Sequence, residues 1–455
     1  MRKSGLTLLT TLVVGACALP SAAFAQTAPA APAAPAAPAA PAAAAPAAPA
    51  APEAPAAAAP AAPAAPAPAD AAAAPAAPAA PADAAAPAAA APGAPPPVTY
   101  PATTITGSVE GTYSRILSKP HIDTPIPLRA YDSSNGFALN TAHFGLKHQL
   151  NEHVYAQIHL DAGADAAYNH NPGLTPNSSP LELFDVREAY AVYTDSGFTF
   201  TAGKFTTYEG IEVVDGPANP TISRGFLYWL AEPITHVGAK LHYATGPIDI
   251  GVGVVNGWDT NNGVFMTGDN NDQKTFIWRA AITPVPQFFA ALSGTYGVEK
   301  PTLNGGNPRP NDDPRLSVDL TGAVTPDPMI AINYQINFGN EKHSDFQDPT
   351  KTASWFGFGL QPVFKMDAFS AGLRFEFFQD KGLSRTAAAN VQPAPTIPPT
   401  TDKLTVWNVS IAPGYTWGGG VTTRVEYRHD AADQPALWQS KKGQDTLAIG
   451  VSYVF

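Results

Sequence analysis

The sequence predicts an all-β protein: a transmembrane, up-and-down antiparallel β-barrel of about 16 strands, preceded by a signal peptide and a disordered Ala/Pro-rich segment. Three observations predict this fold. Apolar and polar residues alternate with a period of two in segment after segment between Val98 and Phe455. No stretch in this part approaches the ~20 apolar residues of a membrane-spanning helix. The chain then ends in a strand whose large apolar side chains share one face.

The final strand shows this alternation most clearly. One face carries Leu447, Ile449, Val451, Tyr453 and Phe455, and the other carries Ala448, Gly450, Ser452 and Val454. An exposed apolar edge strand promotes aggregation in a soluble domain, whereas a closed barrel has no edge because its last strand pairs with its first. The ending resembles the C-terminal signature of bacterial outer-membrane proteins, which implies that the barrel-assembly machinery reads Phe455.

Residues 1–25 have the layout of a secretory signal peptide. Two basic residues precede an apolar run from Leu6 to Leu19, and a small-x-small site ending at Ala25 predicts the cleavage point. The only cysteine, Cys17, lies in this run, so the mature protein would have no disulfide. Alternatively, Cys17 is the lipidated N-terminus of a lipoprotein, and both interpretations imply export.

Residues 26–97 consist almost entirely of alanine and proline. Because prolines remove amide donors and oppose α-helix, we expect an extended, polyproline-like spacer that lies in the periplasm. Fully stretched at ~3.1 Å per residue, it could reach on the order of 200 Å. A flexible tether and a specific cell-wall anchor both fit this composition. The remaining residues, 98–455, form the predicted barrel domain.

The barrel domain divides into alternating segments with short and long connections in turn. Strands are expected at 104–113, 137–148, 154–163, 185–193, 198–203, 236–243, 248–254, 276–282, 288–296, 316–320, 330–338, 356–360, 369–377, 405–412, 421–428 and 447–455. Alternation does not decide which way 185–193 faces. Both termini are expected on the short-turn, periplasmic side. A soluble β-sandwich would also alternate, but the even strand number, the export signal and the terminal phenylalanine favour the barrel.

Composition and motifs limit the classes of function that are open to this chain. The net charge of -11 argues against a nucleic-acid partner. The ten histidines are scattered without metal-ligand spacing, and neither a nucleophile elbow nor a phosphate-binding loop occurs. We therefore expect no catalytic residue, no metal and no cofactor, and a barrel enzyme is the less favoured alternative. The stretch 269–272 has the oxygen ligands for calcium but not the spacing of a calcium-binding loop.

Several stretches resemble the OmpL-like β-barrel porin family of Gram-negative bacteria. They are 107–113 (GSVEGTY), 185–190 (DVREAY), 202–204 (AGK), 223–226 (SRGF), 235–238 (THVG) and 254–259 (VVNGWD). The resemblance covers 105–455 and leaves out the Ala/Pro-rich segment. It implies an outer-membrane channel through which small hydrophilic solutes or ions diffuse passively, but it implies no particular solute.

The longest segment without alternation inside the barrel region, 205–233, is expected to fold into the lumen and narrow the channel. Together with the preceding residue it supplies the candidate constriction residues Lys204, Glu209, Glu212, Asp215, Arg224 and Glu232. The alternative is an ordinary external loop with surface charges. Either arrangement is compatible with the acidic excess of the segment.

Strand alternation places a second set of candidate residues on the lumen wall: Glu110, His236, Lys240, Arg279, Arg374, Glu376, Arg424, Glu426 and Arg428. If the acids of 205–233 face the wall arginines, a transverse field would orient charged or dipolar solutes. Alternatively, Arg374 with Glu376 and Arg424 with Glu426 pair across strands and stiffen the wall.

The expected partners are outer-membrane lipid, the barrel-assembly machinery and the solutes themselves. Trimers are common among sixteen-stranded porins, but no trimer-contact motif is visible in the sequence. A monomer and a homotrimer therefore both remain open. A structural outer-membrane protein tethered through the Ala/Pro-rich segment is the alternative to a channel.

Overall fold

The computed structural model of the chain describes residues 99–118, 135–169, 184–258, 273–299, 313–386, 401–435 and 441–455. The predicted signal peptide (1–25), the predicted spacer (26–97) and the acidic stretch 269–272 lie outside these ranges and remain predictions.

Across the described residues the chain forms sixteen β-strands, two short α-helices and one 3₁₀ turn. The strands are β1 (Ala102–Ile116), β2 (Gly136–Gln149), β3 (Val154–Ala162), β4 (Phe184–Asp195), β5 (Phe198–Thr206), β6 (Thr235–Thr245), β7 (Ile248–Val255), β8 (Thr275–Val285), β9 (Phe288–Val298), β10 (Pro314–Asp327), β11 (Ile330–Glu341), β12 (Ala353–Met366), β13 (Phe369–Lys381), β14 (Lys403–Gly418), β15 (Val421–Ala432) and β16 (Gly443–Val454). The helices are α1 (Ala164–Asn169) and α2 (Phe226–Leu230), and the 3₁₀ turn spans Gly216–Ala218. In the described part of the chain, no helix is long and apolar enough to cross a bilayer.

The strands close into one antiparallel barrel in which every strand pairs with its neighbours in sequence and β1 pairs with β16. The closure extends to the last residue, because the backbone N–H of Phe455 donates to the carbonyl oxygen of Gly107 at 2.9 Å. Glycine is needed at this point, because a Cβ on Gly107 would overlap the ring of Phe455. The predicted sixteen-strand barrel is confirmed.

Short turns and long connections alternate around the barrel as predicted. The turns 196–197, 246–247 and 367–368 join strands at one rim, while longer connections such as 207–234 and 382–402 leave the other. Ala102 pairs with Gln149 next to the short turn between β2 and β3, so β1 begins at the short-turn rim. The chain end lies at the same rim because β16 runs antiparallel to β1.

The outer face of the barrel is apolar and carries aromatic pairs near the short-turn rim. The rings of Phe198 and Tyr243 are 4.6 Å apart, and those of Phe369 and Tyr415 are 4.8 Å apart. Both pairs flank short turns. Aromatic rings in this position are typical of the interfacial girdle of an outer-membrane barrel.

The undecided facing of 185–193 has a local cause. On β3, His159 lies opposite Glu188 of β4, and the next residue, Leu160, lies opposite Val186. Arg187, between these two β4 residues, is therefore an extra residue in a β-bulge. Arg187 and Glu188 are consequently both buried, although they are consecutive in sequence. A bulge breaks the period of two, which is why alternation did not assign a face to this strand.

Candidate functional site

The connection between β5 and β6, residues 207–234, lies inside the barrel and is called the inner loop below. Its backbone carbonyl groups accept hydrogen bonds from inward-facing side chains on distant strands. Ser293 on β9 donates to the carbonyl oxygen of Tyr208 at 3.1 Å, and Arg424 on β15 donates to that of Pro217 at 2.7 Å. A segment that touches walls so far apart around a closed ring of strands can do so only from within.

The bounds of this segment correct two sequence predictions. Strand β5 continues to Thr206, so the non-alternating segment is 207–234 and not 205–233. Lys204 belongs to β5, where its backbone pairs with Ala189 and Val237, and not to the loop. Its ammonium group is buried and lies 3.0 Å from the Asp185 carboxylate on β4. Lys204 is therefore part of the wall.

Arg374 on β13 is the main link between the inner loop and the wall. Its guanidinium donates to Glu212 at 2.8 Å and to the carbonyl oxygen of Ser223 at 2.6 Å, both on the loop. It also lies 3.5 Å from Glu426 on β15. The Arg374, Glu212 and Glu426 side chains are almost completely buried. One wall cation thus binds an acid of the loop and an acid of the wall together.

Two wall carboxylates bind backbone N–H groups of the inner loop. Glu426 accepts from the N–H of Ser223 at 2.7 Å, and Glu376 accepts from the N–H of Phe226 at 2.6 Å. Phe226 is the first residue of α2, whose free N–H groups need acceptors from outside the helix. Acids on β13 and β15 therefore fix the start of α2, which no pattern in the local sequence indicates.

Apolar contacts hold the other side of α2. Phe226, Leu227 and Leu230 belong to a buried cluster with Trp355 on β12 and Phe378 on β13. These two wall residues face inward, so part of the lumen wall is apolar on the side where α2 packs. The inner loop thus brings its own hydrophobic surface into the barrel and packs it on this part of the wall.

Arg428 and Arg224, two further predicted site residues of this region, also form ion pairs and hydrogen bonds. Arg428 on β15 lies 2.6 Å from Asp430 and donates to the carbonyl oxygen of Arg224 at 2.6 Å. Arg224 itself donates to the carbonyl oxygen of Val214 at 2.6 Å and lies 3.8 Å from Asp165 of α1. Burial raises the pKa of Asp165 to about 6 despite this neighbouring cation. The connection between β3 and β4, which carries α1, therefore also contacts the inner loop.

A buried group of three carboxylates joins the inner loop to β10 and β11. Gln335 donates to Glu232 of the loop at 2.9 Å and to Asp319 of the wall at 2.8 Å, while Ser317 donates to Glu209 at 2.5 Å. These donors are neutral. Burial, and then the charge of Asp319, raises the pKa of Glu209 to about 8 and the pKa of Glu232 well above its usual range.

The remaining candidate residues are all found on the inner face or the inner loop. On the wall, Glu110, His236, Lys240 and Arg279 are buried, and Arg424 is partly exposed. Lys240 lies over the ring of Phe205, 4.4 Å from its centre, and His236 lies 3.2 Å from the carbonyl oxygen of Gly257. On the loop, Asp215 accepts from Ser108 of β1 at 3.5 Å.

Sequence reasoning missed a group of basic side chains on β2, β3 and β4. The rings of His143 and His159 are 4.9 Å apart, and a guanidinium nitrogen of Arg187 lies 2.9 Å from His159 Nδ1. His143 Nδ1 lies 2.6 Å from Asp161. The signal that could have found the pair is the polar face of β3, which places His159 and Asp161 inward. In the described ranges, no group of three or more His, Cys, Asp or Glu side chains could hold a metal ion.

Comparison with known families identifies the barrel. The family model described as beta-barrel porin-2, OmpL-like, matches residues 102–455. The chain belongs to this OmpL-like porin family. The match begins at the first residue of β1, so it covers the entire barrel of this porin. Its fold and family place it among the channel-type barrels of the outer membrane.

Solved structures share the fold of this OmpL-like porin at low sequence identity. The outer-membrane channel DcaP of Acinetobacter baumannii has a TM-score of 0.52 at 12% identity, and 78% of this chain aligns with 97% of that one. OmpT of Vibrio cholerae, in a structure described as a trimer form, has a TM-score of 0.50 at 11% identity, with 78% and 99% covered. No match was found among the curated proteins.

Proposed function

We propose that this OmpL-like porin forms a water-filled channel for the passive diffusion of small hydrophilic solutes, and that the inner loop narrows it. The observation that carries the proposal is the position of residues 207–234 inside the closed barrel, bonded to β9 and β15. A barrel of this strand number is wide enough for an aqueous lumen. A loop held across that lumen reduces its width, and width together with lining charge selects solutes.

In this proposal the charged residues of the inner loop have two roles. Glu212 holds the loop in place through its ion pair with Arg374, and the Arg224 side chain does so through its contacts with the Val214 carbonyl oxygen and Asp165. Glu209, Asp215 and Glu232, and the wall residues Glu110, His236, Lys240 and Arg279, set the width and the polarity beside the loop. The loop would thereby act as a fixed constriction and not as a mobile lid, because its anchors are buried.

The direct experiment is single-channel recording of the purified protein in planar bilayers. The wild-type protein should give discrete, ohmic conductance steps, and replacing residues 209–231 with a short Gly/Ser linker should increase the step size severalfold. Heat-modifiable gel mobility and circular dichroism confirm that the shortened variant still forms a barrel. Absence of channels in the wild-type protein would refute the channel itself. Equal steps in both proteins would refute only the constriction.

The surroundings of the barrel follow from the same proposal. The apolar outer face contacts outer-membrane lipid, the short-turn rim faces the periplasm, and Phe455 is presented to the assembly machinery. The segment that precedes β1 then lies in the periplasm. A homotrimer is the proposed assembly, tested by light scattering of the detergent-purified protein with the detergent contribution subtracted. A single barrel mass would contradict it.

A further inference from the structure

A cavity of about 160 Å³ lies between the apex of the inner loop and the wall formed by β10 to β13. Pro217 and Pro220 of the apex form one side, and Met329 and Val363 form part of the other. Met329 belongs to the short turn between β10 and β11, so the cavity opens near the short-turn rim. It is called the vestibule below. Its size is close to the roughly 150 Å³ of a cavity that accommodates benzene.

The charge of the vestibule is opposite to that of the whole chain. Among the described residues that line it are Arg424 and Lys365 but no aspartate and no glutamate, although the chain has a net charge of -11. Arg424 uses one N–H to bind the carbonyl oxygen of Pro217, and a guanidinium has five such donors. Lys365 is exposed and, within the described residues, pairs with no carboxylate.

The amide group of Asn333 is a further polar group in the vestibule. Its oxygen is buried and accepts no hydrogen bond from any residue that the structure describes, while its nitrogen donates weakly to Gln361 at 3.4 Å. Asn333 lines the cavity and is only 3% exposed. A buried acceptor without a partner is costly, so a ligand that supplies an O–H donor at this point would bind favourably.

We propose that the vestibule binds a small organic carboxylate with a compact apolar body. The carboxylate lies between the guanidinium of Arg424 and the ammonium of Lys365, the apolar body packs against Pro220, Met329 and Val363, and a hydroxyl group donates to Asn333. This inference rests on the proposed channel only for its physiological meaning, because the site is present whether or not the barrel conducts.

The test measures equilibrium binding of 4-hydroxybenzoate to the purified full-length protein in detergent, with 4-hydroxybenzamide as the uncharged ligand of the same shape. Saturable binding of the acid, and binding of the amide at least about tenfold weaker, are expected from the loss of one charge-assisted hydrogen bond. Arg424→Gln and Lys365→Gln should each weaken binding of the acid about tenfold. Lys342→Gln, at an exposed lysine beyond β11, should leave it unchanged.

Three outcomes would overturn the proposal: equal binding of acid and amide, unchanged binding in both vestibule variants, or no saturation. Inorganic phosphate serves as the second probe. If phosphate displaces the acid at equal concentration, charge alone governs binding and the apolar part of the site is refuted. Bilayer recordings separate this result from the proposed function, because a protein that binds the acid without conducting refutes the channel and supports the site.

Discussion

Replacing Arg374 with glutamine should detach the inner loop from the wall without unfolding the barrel. The substitution removes the cation that binds Glu212 at 2.8 Å and lies 3.5 Å from Glu426. Two carboxylates are then buried near one another without their shared partner. The backbone hydrogen bonds that join β13 to β12 and β14 do not involve the side chain, so strand pairing should persist.

The size of the effect follows from the burial of the pair. Removing one member of a buried ion pair costs about 3–5 kcal/mol, because the remaining charge keeps its desolvation penalty. With about 1.4 kcal/mol per factor of ten, the ratio of attached to detached loop falls by roughly 100-fold or more. Single-channel recordings should therefore show larger and noisier conductance steps than wild type. In a double variant that combines Glu212→Gln with Arg374→Gln, the loss of free energy of loop attachment should be smaller than the sum of the losses in the two single variants.

Arg315→Gln is the matched control. Arg315 on β10 binds both carboxylate oxygens of Glu341 on β11 at 2.9 Å, so this buried pair joins wall to wall. Its loss should lower the thermal stability of the barrel and leave the conductance of the folded protein unchanged. If Arg374→Gln has wild-type steps, or if Arg315→Gln changes them equally, the anchoring role of Arg374 is refuted.

Three further experiments test other contacts of the inner loop. Burial raises the pKa of Glu209 to about 8, so the stabilisation from its protonated form is complete below its usual value of 4.5 and is lost as the pH rises through about 8. Conductance noise should then increase between about pH 5 and pH 9 in wild type, and the increase should be smaller in Glu209→Gln, where the buried Glu232 still titrates. A Cβ at Gly372 would overlap the backbone carbonyl group of Pro220 in the inner loop, so Gly372→Ala should alter the conductance. Gly359→Ala should not, because a Cβ there would have its nearest neighbour at 3.7 Å. Arg424→Gln should shift the reversal potential in a salt gradient towards cation selectivity, because Arg424 is partly exposed to the lumen. Arg428→Gln replaces a fully buried side chain and should instead raise the conductance.

The period of two in the sequence was enough to predict the strands and the facing of most of them, while the even strand number, the export signal and the terminal phenylalanine favoured a barrel over a sandwich. It placed Arg374 and Glu376 inward on one strand and Glu426 and Arg428 inward on another, and all four face inward in the structure. Alternation assigns the faces of these strands correctly because lipid and lumen impose opposite demands on alternate side chains. It failed at β4, where Arg187 adds a residue and shifts the phase of the strand.

The partners of the inner-loop residues could not be predicted, because they depend on how a long connection folds back on remote strands. Glu212 and Arg374 are 162 positions apart, and Ser223 and Glu426 are 203 apart. Local pattern carries no information about such pairs. Gln335 is different: the clean polar face of β11 indicated a lumen position for it, but not that it would bridge two acids.

A field across a pore requires charges that face water, and this requirement separates the arginines of the wall. Arg374 and Arg428 are buried beside carboxylates, so each largely cancels a neighbouring charge and serves to attach the inner loop. Arg424 also lies near carboxylates, Glu110 foremost, but its hydrogen bond to the loop goes to a neutral carbonyl group and its side chain remains partly exposed. We therefore expect the acids of the inner loop to contribute more to anchoring than to selectivity, and the cations of the vestibule to determine the ion selectivity.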